Sequence, residues 1–163
     1  FTYLLMQNFQ NAELHYRKVL ELAPGGFFKA ITALDTLERE RIGEFPEGTY
    51  LRYLQLEWIS DAAQKGEVVL QFTTRIPGFA PGWEAFALQC EDEVQKLEAI
   101  ENGLGARPDA ETKGSLLLNK ALTLYHGGRQ EEGLTMLGEL ALDPESTLST
   151  EQLAKVTLAN LLQ

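Results

Sequence analysis

The sequence predicts an all-α fold, an α-solenoid of antiparallel helix pairs, and three observations predict it. Pro24, Pro77, Pro108 and Pro144 each close a segment rich in Leu, Ala and Glu. The last two intervals, 31 and 36 residues, bracket the period of about 34 residues expected of a helix–turn–helix repeat. Second, "PGWEAFALQCEDEVQKLEAIENGL" and "SLLLNKALTLYHGGRQEEGLTML" align without a gap. In each, a large apolar residue (Trp83, Leu117) stands four positions before a small one (Ala87, Ala121), and a second small residue (Ala99, Gly133) follows twelve positions later. Small residues let two helices approach closely, while the large ones fill the grooves beside them. Third, "NFQNAELHYRKVLELAPG" carries the second half of the same pattern, with Ala12 in the place of Ala99 and Gly133.

The elements follow in order. The opening unit, about 1–24, retains only residues 1–6 of its first helix, so the array is expected to begin inside a longer one. An irregular unit spans 27–77, too long for one repeat. Its first helix is expected over 27–42, with Ile31, Leu34 and Leu37 on one face and "LERERI" as an exposed charged face. "GEFPEGT" is a turn, broken by Pro46 and Gly48. A second helix is expected over 50–63, with Leu51, Leu54, Trp58 and Ala62 at helical spacing. "EVVLQFTTRI", 67–76, has the β-branched composition of a strand. A helix is expected there all the same, because an isolated strand in a helical stack would leave its backbone groups unpaired. Units 80–108 and 110–144 follow, the latter turning at Gly127-Gly128. A terminal helix over 149–162 opens with Ser149 and Gln152 at capping-box spacing. The whole, 1–163, forms one repeat domain.

Composition narrows the function. The 163 residues suffice for one domain or several stacked units, and no apolar run is long enough for a bilayer. No secretory leader is visible, and a cytoplasmic location is expected. Cys90 is the sole cysteine, which excludes an intrachain disulfide; with His15 and His126 it makes too few ligands for a zinc site, and no cofactor is expected. The net charge of −10 repels phosphate backbones and disfavours nucleic acid, serving solubility instead.

No catalytic signature emerges, and a non-enzyme is expected. The Gly103–Gly105 pair follows a helix and lacks the strand–turn–helix setting of a nucleotide loop. His15 reads as a solvated helix residue. Cys90 is expected mid-helix on the packed side, as a small core residue with no neighbouring base. Glu91, Asp92 and Glu93 are consecutive, so on a helix they point about 100° apart and cannot converge as an acid–base pair. Alternating oxygen ligands and the glycine of a calcium loop are missing.

These residues resemble the tetratricopeptide repeat family, in a divergent, bacterial-type form. Phe9, Ala12, Tyr16, Val19 and Pro24 match the family's order of residue sizes, as do Trp83, Phe86, Ala87 and Ala99. The last unit matches at Leu117, Ala121, Leu124, Gly128, Gly133 and Leu137, with Pro144 one residue early. Lys120 stands where the family usually has Leu, and the segment from Ala99 to Pro108 is about three residues short. The resemblance covers about two-thirds of the chain. It implies a right-handed superhelix whose concave face is lined by the first helix of each pair. In that groove it places Glu84, Leu88, Glu91 and Asp92 from one unit, and Leu118, Asn119, Leu122, Tyr125 and His126 from the next. Asn119 matches an asparagine that some members use to hold a ligand's backbone or carboxylate. His126 stands where a clamp lysine would, so an acidic C-terminal peptide is not expected.

The expected function is a non-catalytic protein–protein interaction scaffold that binds a peptide or amphipathic helix. Leu88, Leu118, Leu122 and Tyr125 would dock apolar groups, and Glu84, Glu91 and Asp92 would steer basic flanks. One alternative is a structural or oligomerising segment of a larger protein. Another is a small-ligand binder or helical enzyme, which would need a pocket with convergent polar groups. No polar cluster is visible in the linear sequence.

Overall fold

A computed structural model describes residues 2–25 and 29–163. Among the described residues the chain is all-helical, without a strand. The helices are α1 (Thr2–Leu5), α2 (Phe9–Leu22), α3 (Ala30–Arg41), α4 (Thr49–Gln55), α5 (Ala62–Arg75), α6 (Ala80–Ala87), α7 (Glu93–Gly105), α8 (Ala110–His126), α9 (Gln130–Leu142) and α10 (Leu148–Leu161), with one 3-10 turn, Leu56–Trp58, after α4.

Local chemistry sets many of the boundaries. Side chains of Asn8, Asp61, Asp92, Asp109 and Thr147 accept from backbone N–H groups of the first turns of α2, α5, α7, α8 and α10. Each such cap contributes about 1 kcal/mol. The strand-like stretch 67–76 lies within α5 up to Arg75, where Val69, Phe72 and Thr73 form a buried helical stripe. Gly128 adopts φ +91° after α8 and so makes the predicted turn with Gly127.

Several expectations are corrected. The helix expected over 50–63 is broken: Ile59 is extended, and Asp61 starts α5. Its buried side is Tyr50, Tyr53 and Leu56, and Trp58 is more than half exposed. In the helix expected over 27–42, Phe27 and Phe28 lie outside the described residues. Its buried positions are Ala30, Ala33 and Leu37 on one side and Thr32, Thr36 and Arg39 on the other, with Ile31 and Leu34 half-buried. α10 is capped by Thr147 rather than Ser149. Gly103 and Gly105 end α7 from inside it. Cys90 lies in the turn between α6 and α7, half-buried, its thiol donating to the Phe86 carbonyl at 3.3 Å.

"LERERI" is not a uniformly exposed face. Arg39 is buried, its guanidinium 4.1 Å from the Phe45 ring centre. It donates to Glu44, to Asp35 and to the carbonyls of Gly78 and Arg107. Glu40 accepts from the N–H groups of Gly48 and Tyr50, which fixes the entry into α4.

Helices pack mainly on their sequence neighbours, from α2 on α3 through α5 on α6 to α9 on α10, and α8 also packs on α6 and α10. Ala12, Ala87, Ala99 and Ala121 are fully buried, as the size pattern predicts. A Cβ at Gly133 would lie 2.6 Å from the Ala121 carbonyl oxygen, so α8 and α9 touch through their backbones there. Lys120, the departure from the repeat pattern, forms an ion pair with Glu101 of α7 at 2.6 Å. A contact of much longer range in sequence also forms: α3 packs on α8. That contact builds the site described next.

Candidate functional site

The α3 N-terminus has no side-chain cap of its own. Lys29 precedes it in the left-handed region, φ 55°, and offers no capping oxygen. The cap comes from α8: Glu111 Oε2 accepts from the N–H groups of Ile31 and Thr32 at 3.0 and 3.3 Å. Thr32 Oγ1 donates to Asp109, which already caps α8. Close by in sequence, Leu148 N at the start of α10 donates to the Gly25 carbonyl at 2.6 Å. The first turn of α3 is thereby tied to the beginning of α8, and Gly25 to the beginning of α10.

Beneath this junction is a cavity of about 220 Å³. Its lining includes Lys29, Tyr53, Glu84, Glu111 and Ser115, with Leu118 and Leu153 as apolar wall. Glu84 is buried and accepts from Ser115 Oγ. Burial pushes its carboxyl above the ordinary range, against the lowering influence of Ser115 and Lys29. Glu111 is raised by burial too, its bonds from Thr32 and Ile31 opposing. Burial alone would lower Lys29, but Tyr53, Glu84 and Glu57 around it raise it overall. Lys29 Nζ lies 3.2 Å from the Tyr53 hydroxyl, which burial pushes up to about 12.

A second, shallower groove of about 410 Å³ lies between the α6–α7 turn and the latter half of α8. Cys90, Glu91, Lys96, Asn119, Leu122 and His126 line it. Burial raises the Cys90 thiol, so it is not held as a thiolate.

The nine predicted groove residues are therefore divided. Glu84 and Leu118 are buried and line the first cavity. Glu91, Asn119, Leu122 and His126 line the open groove. Leu88 is 59% exposed on the same turn as Cys90. Asp92 caps α7 through Gln95 N. Tyr125 rests its Cβ against α9, 2.9 Å from where a Gly133 Cβ would stand, and does not line the groove. Asn119 Nδ2 donates to the Ser115 carbonyl within its own helix.

Positions 111, 115, 118, 122 and 126 follow helical spacing, so one stripe of α8 serves both concavities. Its first part packs against α3, and its last part lines the open groove. Sequence reasoning missed Lys29, Tyr53, Glu111 and Ser115; the last two share the α8 stripe, but Lys29 and Tyr53 come from distant parts of the chain. Their polar cluster exists only through the contact of α3 with α8. Among the described residues no group of His, Cys, Asp and Glu has the arrangement of a metal site, and no helix is long and apolar enough to cross a membrane. No family model, curated protein or solved structure gave a significant match to this chain.

Proposed function

We propose that the chain is a tetratricopeptide-like interaction module that binds a peptide or amphipathic helix through the open groove beside α8. In this reading α6–α7 and α8–α9 are successive antiparallel pairs of a right-handed solenoid, and α10 begins the next turn of the stack. Support comes from the packing of α8 on both α6 and α10, and from the small residues buried between helices. The observation that carries the binding reading is an exposed leucine, Leu88, on the turn that walls a groove containing Leu122 and the acid Glu91. An apolar anchor would seat on the leucines, and basic flanks would meet Glu91 and the nearby acids.

A random peptide library selected on the protein tests this. Recovered peptides should combine an apolar core with Lys or Arg flanks, and should bind Leu122→Glu at least about tenfold more weakly. Peptides that bind that variant undiminished, or that perturb only residues outside α8 and the α6–α7 turn, would sink the reading.

A further inference from the structure

The first cavity is separate from the open groove, and the partner-binding reading makes no use of it. We infer that it is a binding site for a small alkylammonium group. Charge comes first. Glu84 and Glu111 line the cavity, and the Asp109 carboxylate acts electrostatically on both. Among the described lining residues Lys29 is the one cation, and its ammonium is already engaged by Tyr53. Two lining carboxylates, with Asp109 acting on both, thus outnumber one ammonium at a partly buried site, where a further positive charge is favoured and an anion repelled.

Geometry narrows the cation. Glu84 receives the Ser115 hydroxyl on Oε1, and a carboxylate accepts about four hydrogen bonds, so it retains acceptor capacity for an N–H donor. The lack of a metal-type cluster among the described residues disfavours a bare divalent ion. Leu118 and Leu153 on the wall suit a short methylene chain behind the charged head. The volume of about 220 Å³ equals roughly seven waters at about 30 Å³ each, enough for a pentylammonium ion. Such a group occurs on free amines and on lysine side chains.

The test is a titration of the whole chain followed through the methyl resonances of Leu118 and Leu153. The probes are n-pentylamine, cadaverine, Nα-acetyl-lysine methylamide and the neutral control 1-pentanol. Saturable shifts are expected with an amine probe, and 1-pentanol should bind about tenfold or more weakly. Glu84→Gln keeps the acceptor for Ser115 while removing the charge, and should lose about tenfold or more in amine affinity. Leu153→Phe, which narrows the cavity without altering charge, should also weaken amine binding. A preference for cadaverine assigns the site to free amines, and a preference for the lysine derivative assigns it to peptide-borne lysine. The inference is overturned if no amine saturates, if 1-pentanol binds as well, or if Glu84→Gln, shown folded by circular dichroism, binds undiminished. Should Glu84→Gln not fold, unchanged affinity in Leu153→Phe overturns it.

Discussion

Arg39 shows how much one side chain can decide. It closes α3, stacks on Phe45 and binds the carbonyls that precede α6 and α8, so three connections meet on one guanidinium. Arg39→Ala would leave those carbonyls without this donor and Glu44 with Arg107 alone. Removing one member of a buried charged network costs about 3–5 kcal/mol. Urea unfolding should register a loss of that order; a change under about 1 kcal/mol would show that water replaces the guanidinium. Glu84 makes an opposite contribution near neutrality. Because burial raises its folded-state pKa, it favours folding when protonated, and that advantage is lost as pH rises through the raised value. Asp35, Glu40 and Glu111 are raised for the same first reason.

At the scale of the helix, two glycines of α9 form a paired experiment. Gly133 lies against the α8 backbone, whereas a Cβ at Gly138 would meet nothing within 4 Å. Gly133→Ala should destabilise by about 1–3 kcal/mol through overpacking. Gly138→Ala should stabilise by roughly 0.5–1 kcal/mol, because alanine loses less backbone freedom on entering a helix. Equal thermal shifts from the two would refute the close contact of α8 with α9. Helix existence was legible from sequence wherever small residues recur at fixed spacing, as at Ala87, Ala99 and Ala121. Helix faces were less legible. In α3 the threonines Thr32 and Thr36 are buried as fully as Ala33, and periodicity of apolar residues cannot reveal a second, polar contact surface.

Across the whole molecule, the cap that Glu111 gives α3 joins helices far apart in the chain. An array held only by neighbour contacts would let its ends unfold separately. With this tie, fluorescence of the tryptophans and helical circular dichroism should follow one transition. Glu111→Ala leaves the N–H groups of Ile31 and Thr32 without their acceptor, at a cost of about 1–3 kcal/mol. Hydrogen exchange at those two amides should accelerate first, and unchanged protection there would remove the tie from the account. The raised carboxyls act together with the net charge of −10. Acidification from pH 7.5 towards the ordinary carboxylate range should raise the melting temperature, since the folded state takes up more protons and self-repulsion falls. Below that range stability should fall again as Glu44, whose carboxyl is held low chiefly by Arg39, becomes protonated. Glu84→Gln should flatten that rise, because its raised carboxyl takes up a proton as pH falls; an unaltered slope would mean that other groups carry it.

The sequence by itself determined that the chain is helical, that it turns at Gly127-Gly128 and around Pro46, and which alanines are buried between helices. Those features depend on residue size and on backbone preferences repeated over short distances. Only the tertiary structure decided that Glu84 and Leu118 are buried while Leu122 and His126 line an open groove. That division depends on α3 reaching α8 across 80 residues of chain, from Ile31 to Glu111, and such a contact leaves no period in the sequence that forms it.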